Sequence, residues 1–206
     1  REVLVGRDLM TVGEAPGATP EQARELTDEQ HGVVNMLFQF EHVGLDQQPG
    51  GSKWEIKPLD LVELKQCFAR WQHGLAEQGW NSLYLNNHDQ PRSVSRWGDG
   101  TPASAMCLAL LTHGQQGTPF VYQGEELGMT NFPFTAIGQC RDIESLNWFD
   151  EAVHQRGWTV EQALQAIRAK GRDNARTPMQ WNAQPGAGFT TGTPWLALNP
   201  NHRHVN

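Results

Sequence analysis

The sequence of 206 residues predicts an α/β fold built from parallel βαβ units. Two observations lead to this prediction. Short apolar runs of strand length alternate with longer segments of helical periodicity, and each short run ends in carboxylate, imidazole or amide residues. Strands separated by helices form right-handed parallel units, whose carboxyl ends meet at one edge of the sheet. Polar residues at every such end therefore predict a site at that edge.

In the first half of the chain, apolar runs at 9–14 and 35–40 have strand length and end in Glu14 and Glu41. Between them, Thr19 at a cap position, followed by proline, begins a helix that we expect to reach about residue 27. A long amphipathic helix follows. Its apolar residues recur at three- and four-residue spacing, and a glycine at position 79 ends it: Leu61, Leu64, Phe68, Trp71 and Leu75.

The second half begins with a strand at 83–85 and a helix at 103–113, which is apolar nearly all round and is therefore predicted to be buried. A fourth strand is predicted within 117–126, which ends in two glutamates. Residues 130–149 show little periodicity and are interpreted as an excursion, and a short helix is predicted at 160–170. The sequence therefore contains four strand–helix units.

A closed (β/α)₈ barrel needs eight such units and typically ~250 residues. The chain opens at residues 1–8 with what we interpret as the tail of a helix. We therefore expect the C-terminal half of such a TIM barrel, strands 5 to 8 with their following helices, and an excursion after the last strand. Residues 1–206 then form one partial barrel domain, of which 130–206 include the excursion as a subdomain.

Composition narrows the class of function. The formal net charge of −7 and the absence of any cationic run argue against a nucleic-acid or anionic membrane surface. No apolar stretch approaches the ~20 residues of a membrane span. The three cysteines lack metal-binding spacing, and because Cys67 and Cys107 fall in helical patterns, we expect buried free thiols. Free thiols favour a reducing compartment, and we expect a cytoplasmic protein.

The segment after the third strand carries Asn86, Asn87, His88 and Asp89 in succession. A polar loop that caps the next helix through Asp89 is the simpler interpretation, but a cap needs a single Asp or Asn. Four polar groups at the end of a buried strand favour a binding site instead.

Glu14 and Asp89 are predicted at the same edge of the sheet, two strands apart. Carboxyl groups ~5–10 Å apart are what glycoside hydrolysis requires. Taken alone, Glu14 is explained as a helix N-terminal charge and His88 as a structural imidazole. Taken together at matching strand ends, they favour a site. The sequence contains no phosphate-binding glycine loop, zinc motif or Gly-x-Ser-x-Gly elbow, so we expect no metal site and no cofactor.

Four long motifs carry a resemblance: MTVGE at 10–14, LNNHDQPR at 85–92, GTPFVYQGEE at 117–126 and RDNARTPMQW at 172–181. They resemble, in the same order, the α-amylase superfamily of glycoside hydrolases (family 13), most closely its oligo-1,6-glucosidase and trehalose-6-phosphate hydrolase branch. The resemblance covers nearly the whole chain and implies a (β/α)₈ barrel with a retaining mechanism.

The resemblance also implies roles for single residues. Glu14 matches the general acid/base, and because this acid must be protonated in the first step, we expect it to be partly buried. Asp89 matches the carboxylate that holds the sugar hydroxyls and stabilises the transition state, and His88 matches the histidine on the same ring. Arg176, rather than Arg172, resembles the arginine that reaches into the innermost subsite.

Three further residues are implied near the leaving-group side of the substrate: Phe40, Glu41 and Arg92. The family's nucleophilic aspartate lies in a Gly-Phe-Arg-x-Asp type strand, and no residue before Glu14 fits it, since Asp8 falls in the expected helix. The first four strands, the small insertion domain, the calcium loop of some relatives and the C-terminal β-sandwich are likewise not matched. We expect the 206-residue chain by itself to be inactive.

The leading hypothesis is a retaining α-glucosidase that hydrolyses short α-glucosides, of which this chain is a fragment. A trehalose-6-phosphate hydrolase is one alternative. A sucrose-isomerising or transglycosylating relative is another, although those tend to carry His-Asp-Asn where this chain has His88-Asp89-Gln90. A third is a non-catalytic binding or assembly domain, which typically loses its catalytic carboxyls. The expected partners are an oligosaccharide or disaccharide substrate and either the missing half-barrel or a second copy; the linkage specificity stays open.

Overall fold

A computed structural model describes residues 6–206, so most of the helix tail expected at 1–8 lies outside the described residues. The chain divides into two compact units. Unit 1 contains the described residues up to Gly50 together with Lys57–Tyr84 and Leu111–Phe120. Unit 2 contains Gly51–Ile56, Leu85–Leu110 and Val121–Asn206.

Unit 1 holds a four-stranded sheet whose strands lie in sequence order and are all parallel, as the alternation of strands and helices predicts. The strands are β1 (Val12–Glu14), β2 (Met36–Phe38), β3 (Asn81–Leu83) and β4 (Thr118–Pro119). They are shorter than the apolar runs. The last strand ends at Pro119, which has no N–H to donate to the ladder, although the Phe120 amide still donates to the Leu83 carbonyl at 2.8 Å.

The helices of unit 1 are α1 (Pro20–Leu26) and α2 (Leu61–Gly74). The start of α1 confirms the cap prediction: the Thr19 side chain accepts from the Gln22 amide, and the Gln22 side chain accepts from the Thr19 amide. Trp71 and Cys67 of α2 are fully buried against Leu37 of β2. The two helices approach closely at Gly74, where an added Cβ would lie 2.5 Å from Pro20 Cβ.

Unit 2 contains α3 (Ser93–Arg96), α5 (Ile143–His154) and α6 (Val160–Lys170), the last with the bounds expected from the sequence. Its core includes two stacked indoles, Trp54 and Trp148, with ring centroids 5.5 Å apart. Helix α5 corrects the expectation of an irregular excursion at 130–149. Asp142 caps it, and its buried face is formed by Ser145, Trp148 and Ala152.

Helix α4 (Pro102–His113) corrects the prediction of a buried helix. Thr112 is its one buried residue in the described structure, whereas the residues Met106 and Leu110 are 63% and 76% exposed. Cys107 is exposed as well, contrary to the expectation of a buried thiol, while Cys67 is buried as expected. An apolar surround predicts burial only where other residues cover every face, and the described residues leave the outer face of α4 open.

Within residues 6–206, no helix is both long enough and apolar enough to cross a bilayer.

Candidate active site

Glu14 is the last residue of β1, so it lies at the carboxyl end of the parallel sheet as the sequence predicts. Its side chain is exposed, which corrects the expectation of partial burial. The neighbouring strand end carries Phe40, the cap residue of a short 3₁₀ turn (Glu41–Gly44). The Phe40 ring packs edge-on against Tyr84, with centroids 5.8 Å apart.

Two side chains of helix α2 bind the carboxylate of Glu41. Glu41 Oε2 accepts a hydrogen bond from the Trp71 indole at 2.8 Å, and Glu41 Oε1 pairs with Arg70. Burial raises the pKa of the nearby Cys67 thiol to about 12, and the negative charge of Glu41 acts in the same direction. Both oxygens of Glu41 therefore already have partners on the helix.

The segment 86–92 in unit 2 is shaped by two local amide contacts. Asn86 accepts a hydrogen bond from the Ser93 amide at 2.5 Å and donates to the Ser93 hydroxyl at 2.9 Å, so it satisfies the first amide of α3. Asn87 Oδ1 accepts from the Asp89 amide at 2.8 Å, an Asx turn. The helix start is therefore served by Asn86, not Asp89, and this leaves the carboxylate of Asp89 for other partners.

Asp89 pairs with Arg176. The Arg176 Nη2 donates to Asp89 Oδ1 at 2.7 Å, and its Nε donates to the His88 carbonyl at 2.9 Å. Arg172 Nη1 lies 3.7 Å from the same Oδ1, and His88 Nε2 lies 3.7 Å from Oδ2. Because 3.7 Å is longer than a hydrogen bond and the Asp89 side chain is 38% exposed, Oδ2 can accept from a ligand hydroxyl.

Charges of alternating sign extend this pair. Arg176 Nη1 lies 3.6 Å from Asp142 Oδ1, and Arg172 Nε lies 2.8 Å from Glu144 Oε2. Glu144 also pairs with Lys53. Burial lowers the pKa of Lys53, although Glu144 acts in the opposite direction. Asp142 and Glu144 were not among the predicted site residues; the available signal in the sequence is two carboxylates at the start of the segment that forms α5.

Arg92 differs from the expected substrate contact. Its side chain is 1% exposed, and its guanidinium donates to the carbonyl of Gln123 at 2.6 Å, of Asn174 at 3.4 Å and of Ala175 at 3.3 Å. Burial lowers its pKa, while Tyr122 and two glutamates act in the opposite direction. A guanidinium enclosed by main-chain carbonyls does not reach a ligand, so the burial is at odds with the prediction.

The predicted residues thus fall into two groups. His88, Asp89 and Arg176 come together within unit 2. Phe40 and Glu41 follow β2 within unit 1, and Glu14 lies on the adjacent strand, opposite Phe38. The carboxyl pair formed by Glu14 and Asp89 stays a prediction. Over residues 6–206, no three His, Cys, Asp or Glu side chains gather in a way that could hold a metal ion.

Comparisons with known proteins give one consistent family. The alpha-amylase family, described as "Alpha amylase, catalytic domain", matches residues 1–206. An oligo-1,6-glucosidase of Halalkalibacterium halodurans is 57% identical over 207 residues, which cover 99% of this chain and 36% of that protein.

Two solved structures have similar folds. Trehalose-6-phosphate hydrolase of Bacillus licheniformis matches with a TM-score of 0.93 at 42% identity, over 100% of this chain and 38% of that chain. A variant of isomaltulose synthase from Erwinia rhapontici NX5, in complex with its natural substrate sucrose, matches with a TM-score of 0.92 at 39% identity, over 100% of this chain and 37% of that chain. The chain therefore spans a little over a third of the length of the relatives it matches.

Proposed function

The chain belongs to the alpha-amylase catalytic domain family, and from this we propose that it is part of a retaining α-glucosidase that hydrolyses short α-glucosides. The identity of 57% to an oligo-1,6-glucosidase supports this substrate class. Within the barrel of such an enzyme, the four parallel strands would be strands 5 to 8, the C-terminal half.

The observation that carries the proposal is the placement of Asp89 between Arg176 and His88 in unit 2. A carboxylate that is held on one oxygen by a guanidinium and accessible on the other can accept hydrogen bonds from adjacent sugar hydroxyls. Those bonds strengthen as positive charge develops on the sugar ring in an oxocarbenium-like transition state. We assign Asp89 this role, with His88 and Arg176 as further contacts to the same ring.

We assign Glu14 the role of general acid/base. In the first step, a nucleophilic carboxylate from another part of the enzyme forms a bond to the anomeric carbon while Glu14 gives its proton to the departing glycosidic oxygen. In the second step, Glu14 takes a proton from water as that water attacks the anomeric carbon and releases the nucleophile. No cofactor is needed for either step.

Three alternatives receive less support. A trehalose-6-phosphate hydrolase needs cations for a phosphate group, but Lys53 is paired with Glu144, and Arg92 is enclosed by carbonyls. A non-catalytic domain would not need an accessible carboxylate held by an arginine. Against the sucrose-isomerising alternative, the argument is Gln90, which follows Asp89 where those relatives tend to carry Asn; it favours hydrolysis.

We further propose a cytoplasmic location, supported by the three free thiols.

The test is Glu14→Gln in the whole enzyme that contains this chain. We expect kcat/KM for isomaltose to fall by about 10²–10⁴-fold, the usual contribution of general acid–base catalysis. The loss should be smaller for 2,4-dinitrophenyl α-glucoside, because that leaving group departs without protonation. Glu25→Gln on the exposed face of α1 is the matched control. Near-normal hydrolysis of isomaltose by the Glu14 variant would exclude this role.

A further inference from the structure

Arg92 connects two segments that carry the charged pair of the proposed site. It lies three residues after Asp89, and its guanidinium donates to the carbonyls of Asn174 and Ala175, the two residues that immediately precede Arg176. Its main-chain amide donates to Asn131 Oδ1 at 2.8 Å. One buried side chain therefore fixes the backbone on both sides of the ion pair.

Neighbouring contacts hold the same backbone in place. The Tyr122 hydroxyl donates to the Ala175 carbonyl at 3.0 Å, and the Arg92 guanidinium lies over the Tyr122 ring, 5.3 Å from its centroid. Asn174 is completely buried, and its side chain donates to carbonyls at the end of α6. Asn174 is therefore held at the end of α6 and the Ala175 carbonyl is held by Tyr122. The next residue in the chain is Arg176.

Burying a guanidinium removes it from water, and this is unfavourable unless its donors are satisfied. Here three of its donors meet three carbonyls of two different segments. The planar fork of an arginine places donors on three separate nitrogens in fixed directions, whereas a lysine presents all its donors from one nitrogen. The arrangement therefore depends on this side chain in particular.

We propose that Arg92 is a positioning residue: it sets the separation and orientation of Asp89 and Arg176, and it acts on the sugar through them without touching it. This inference rests on the proposed function only for its effect on turnover. The positioning itself is a property of the fold and can be measured without any substrate.

The first measurement is a crystal structure of the whole enzyme carrying Arg92→Lys. We expect the contact between Asp89 Oδ1 and Arg176 Nη2, 2.7 Å in the unchanged chain, to open beyond hydrogen-bond length. A pair that keeps its distance and orientation overturns the proposal. Because this readout needs no turnover, it remains decisive even if the enzyme proves inactive on α-glucosides, an outcome that would count against the proposed function alone.

The second measurement is kinetic. Displacing a positioned group by about 1 Å costs up to ~10²-fold in rate, so we expect Arg92→Lys to lower kcat on isomaltose by about tenfold to a hundredfold, with KM changed less than about threefold. In a background that carries Arg176→Lys, the same change should have little further effect on kcat, although it still lowers Tm. Equal losses of kcat in both backgrounds overturn the proposal, since they would mean that Arg92 acts independently of Arg176.

Two variants separate positioning from simple destabilisation. Leu164→Ala removes a buried side chain of α6 and should lower Tm while leaving kcat unchanged at temperatures where the enzyme is folded. If Arg92→Lys does not fold, Tyr122→Phe takes its place: it removes one donor to the Ala175 carbonyl and should cause a smaller loss of kcat in the same direction. An unchanged kcat in this variant, with the ion pair intact in its crystal structure, contradicts the proposal.

Discussion

At the scale of single residues, Arg176 shows how a flexible side chain becomes a fixed one. Its Nε is bound to the His88 carbonyl, its Nη2 to Asp89, and its Nη1 faces Asp142. Each contact uses a different edge of a planar group, so the guanidinium has one favourable orientation. If a sugar binds beside Asp89 as we propose, the conformational entropy of Arg176 has already been lost on folding and is not lost again on binding.

Two buried thiols give a prediction about alkaline pH. Burial raises the pKa of Cys67 to about 12, with Glu41 adding to it, and burial raises the pKa of Cys140 to about 12, with Asp173 and Asp142 adding to it. In the unfolded chain a cysteine ionises near pH ~8.5. The unfolded state therefore releases protons that the folded state keeps, and the free energy of unfolding falls as pH rises from about 8.5 towards 12.

We expect Cys67→Ala combined with Cys140→Ala to flatten this fall. Urea unfolding at pH 8 and at about pH 10.5 measures the difference, and Cys107→Ala is the control because Cys107 is exposed. An equal pH dependence in the double variant and the unchanged protein would show that the two thiols do not contribute.

The sequence predicts which residues lie near the site better than it predicts which way their side chains point. His88, Asp89 and Arg176 lie in motifs whose chemistry is local, and they do come together. Arg92 lies in the same motif, but nothing in the sequence indicates that its side chain turns inward to carbonyls more than 30 residues away. The direction of a side chain depends on tertiary packing, and this is why Arg92 was expected at the substrate.

At the scale of elements, α6 begins with a reciprocal cap. The Thr159 hydroxyl accepts from the Gln162 amide at 3.2 Å, and Gln162 Oε1 accepts from the Thr159 amide at 2.8 Å. We expect Thr159→Ala to lower the free energy of unfolding by about 1 kcal/mol, because it leaves a helix-terminal amide without its partner. Thr159→Ser keeps the oxygen and should restore most of the loss. Urea denaturation compares the three proteins; equal stabilities would mean that the cap contributes nothing.

Helices with a local signal, either a cap or a regular apolar spacing, could be predicted from the sequence. The Thr-Pro start of α1 and the regular apolar spacing of α2 are visible locally, and both helices begin where the sequence predicts. Helix α2 ends at Gly74, however, and not at the predicted Gly79. Helix α5 was missed because its buried face consists of Ser145, Trp148 and Ala152, and serine and alanine add little to an apolar period. The strands were predicted in order but too long, since the length of a parallel ladder depends on its neighbours.

At the scale of the whole molecule, the exposed face of α4 predicts association of the isolated chain. Met106 and Leu110 present apolar side chains to solvent on one helix, and such a surface favours contact with another protein surface. We propose the remaining part of the barrel as its partner in the whole enzyme and a second copy when the 206-residue chain is alone. We expect sedimentation velocity of the isolated chain to show dimers or larger species.

Met106→Glu with Leu110→Glu should shift the isolated chain towards monomer. The control is Leu61→Glu with Val62→Glu in the first turn of α2, where two similarly exposed apolar residues begin an otherwise amphipathic helix. If the α4 variant sediments like the unchanged chain, α4 is not the associating surface.

Asp142 links the first turn of α5 to Arg176, so the stability of that turn should affect the position of the arginine. Its Oδ2 accepts from the amide and hydroxyl of Ser145 at the start of α5, while its Oδ1 faces Arg176 at 3.6 Å. The end of a helix opens with less free energy than the whole domain, and each opening of this turn releases a neighbour of Arg176, the arginine that we propose binds the sugar. Warming should therefore slow turnover before circular dichroism changes, and hydrogen exchange at the Ser145 amide would follow the same temperature course.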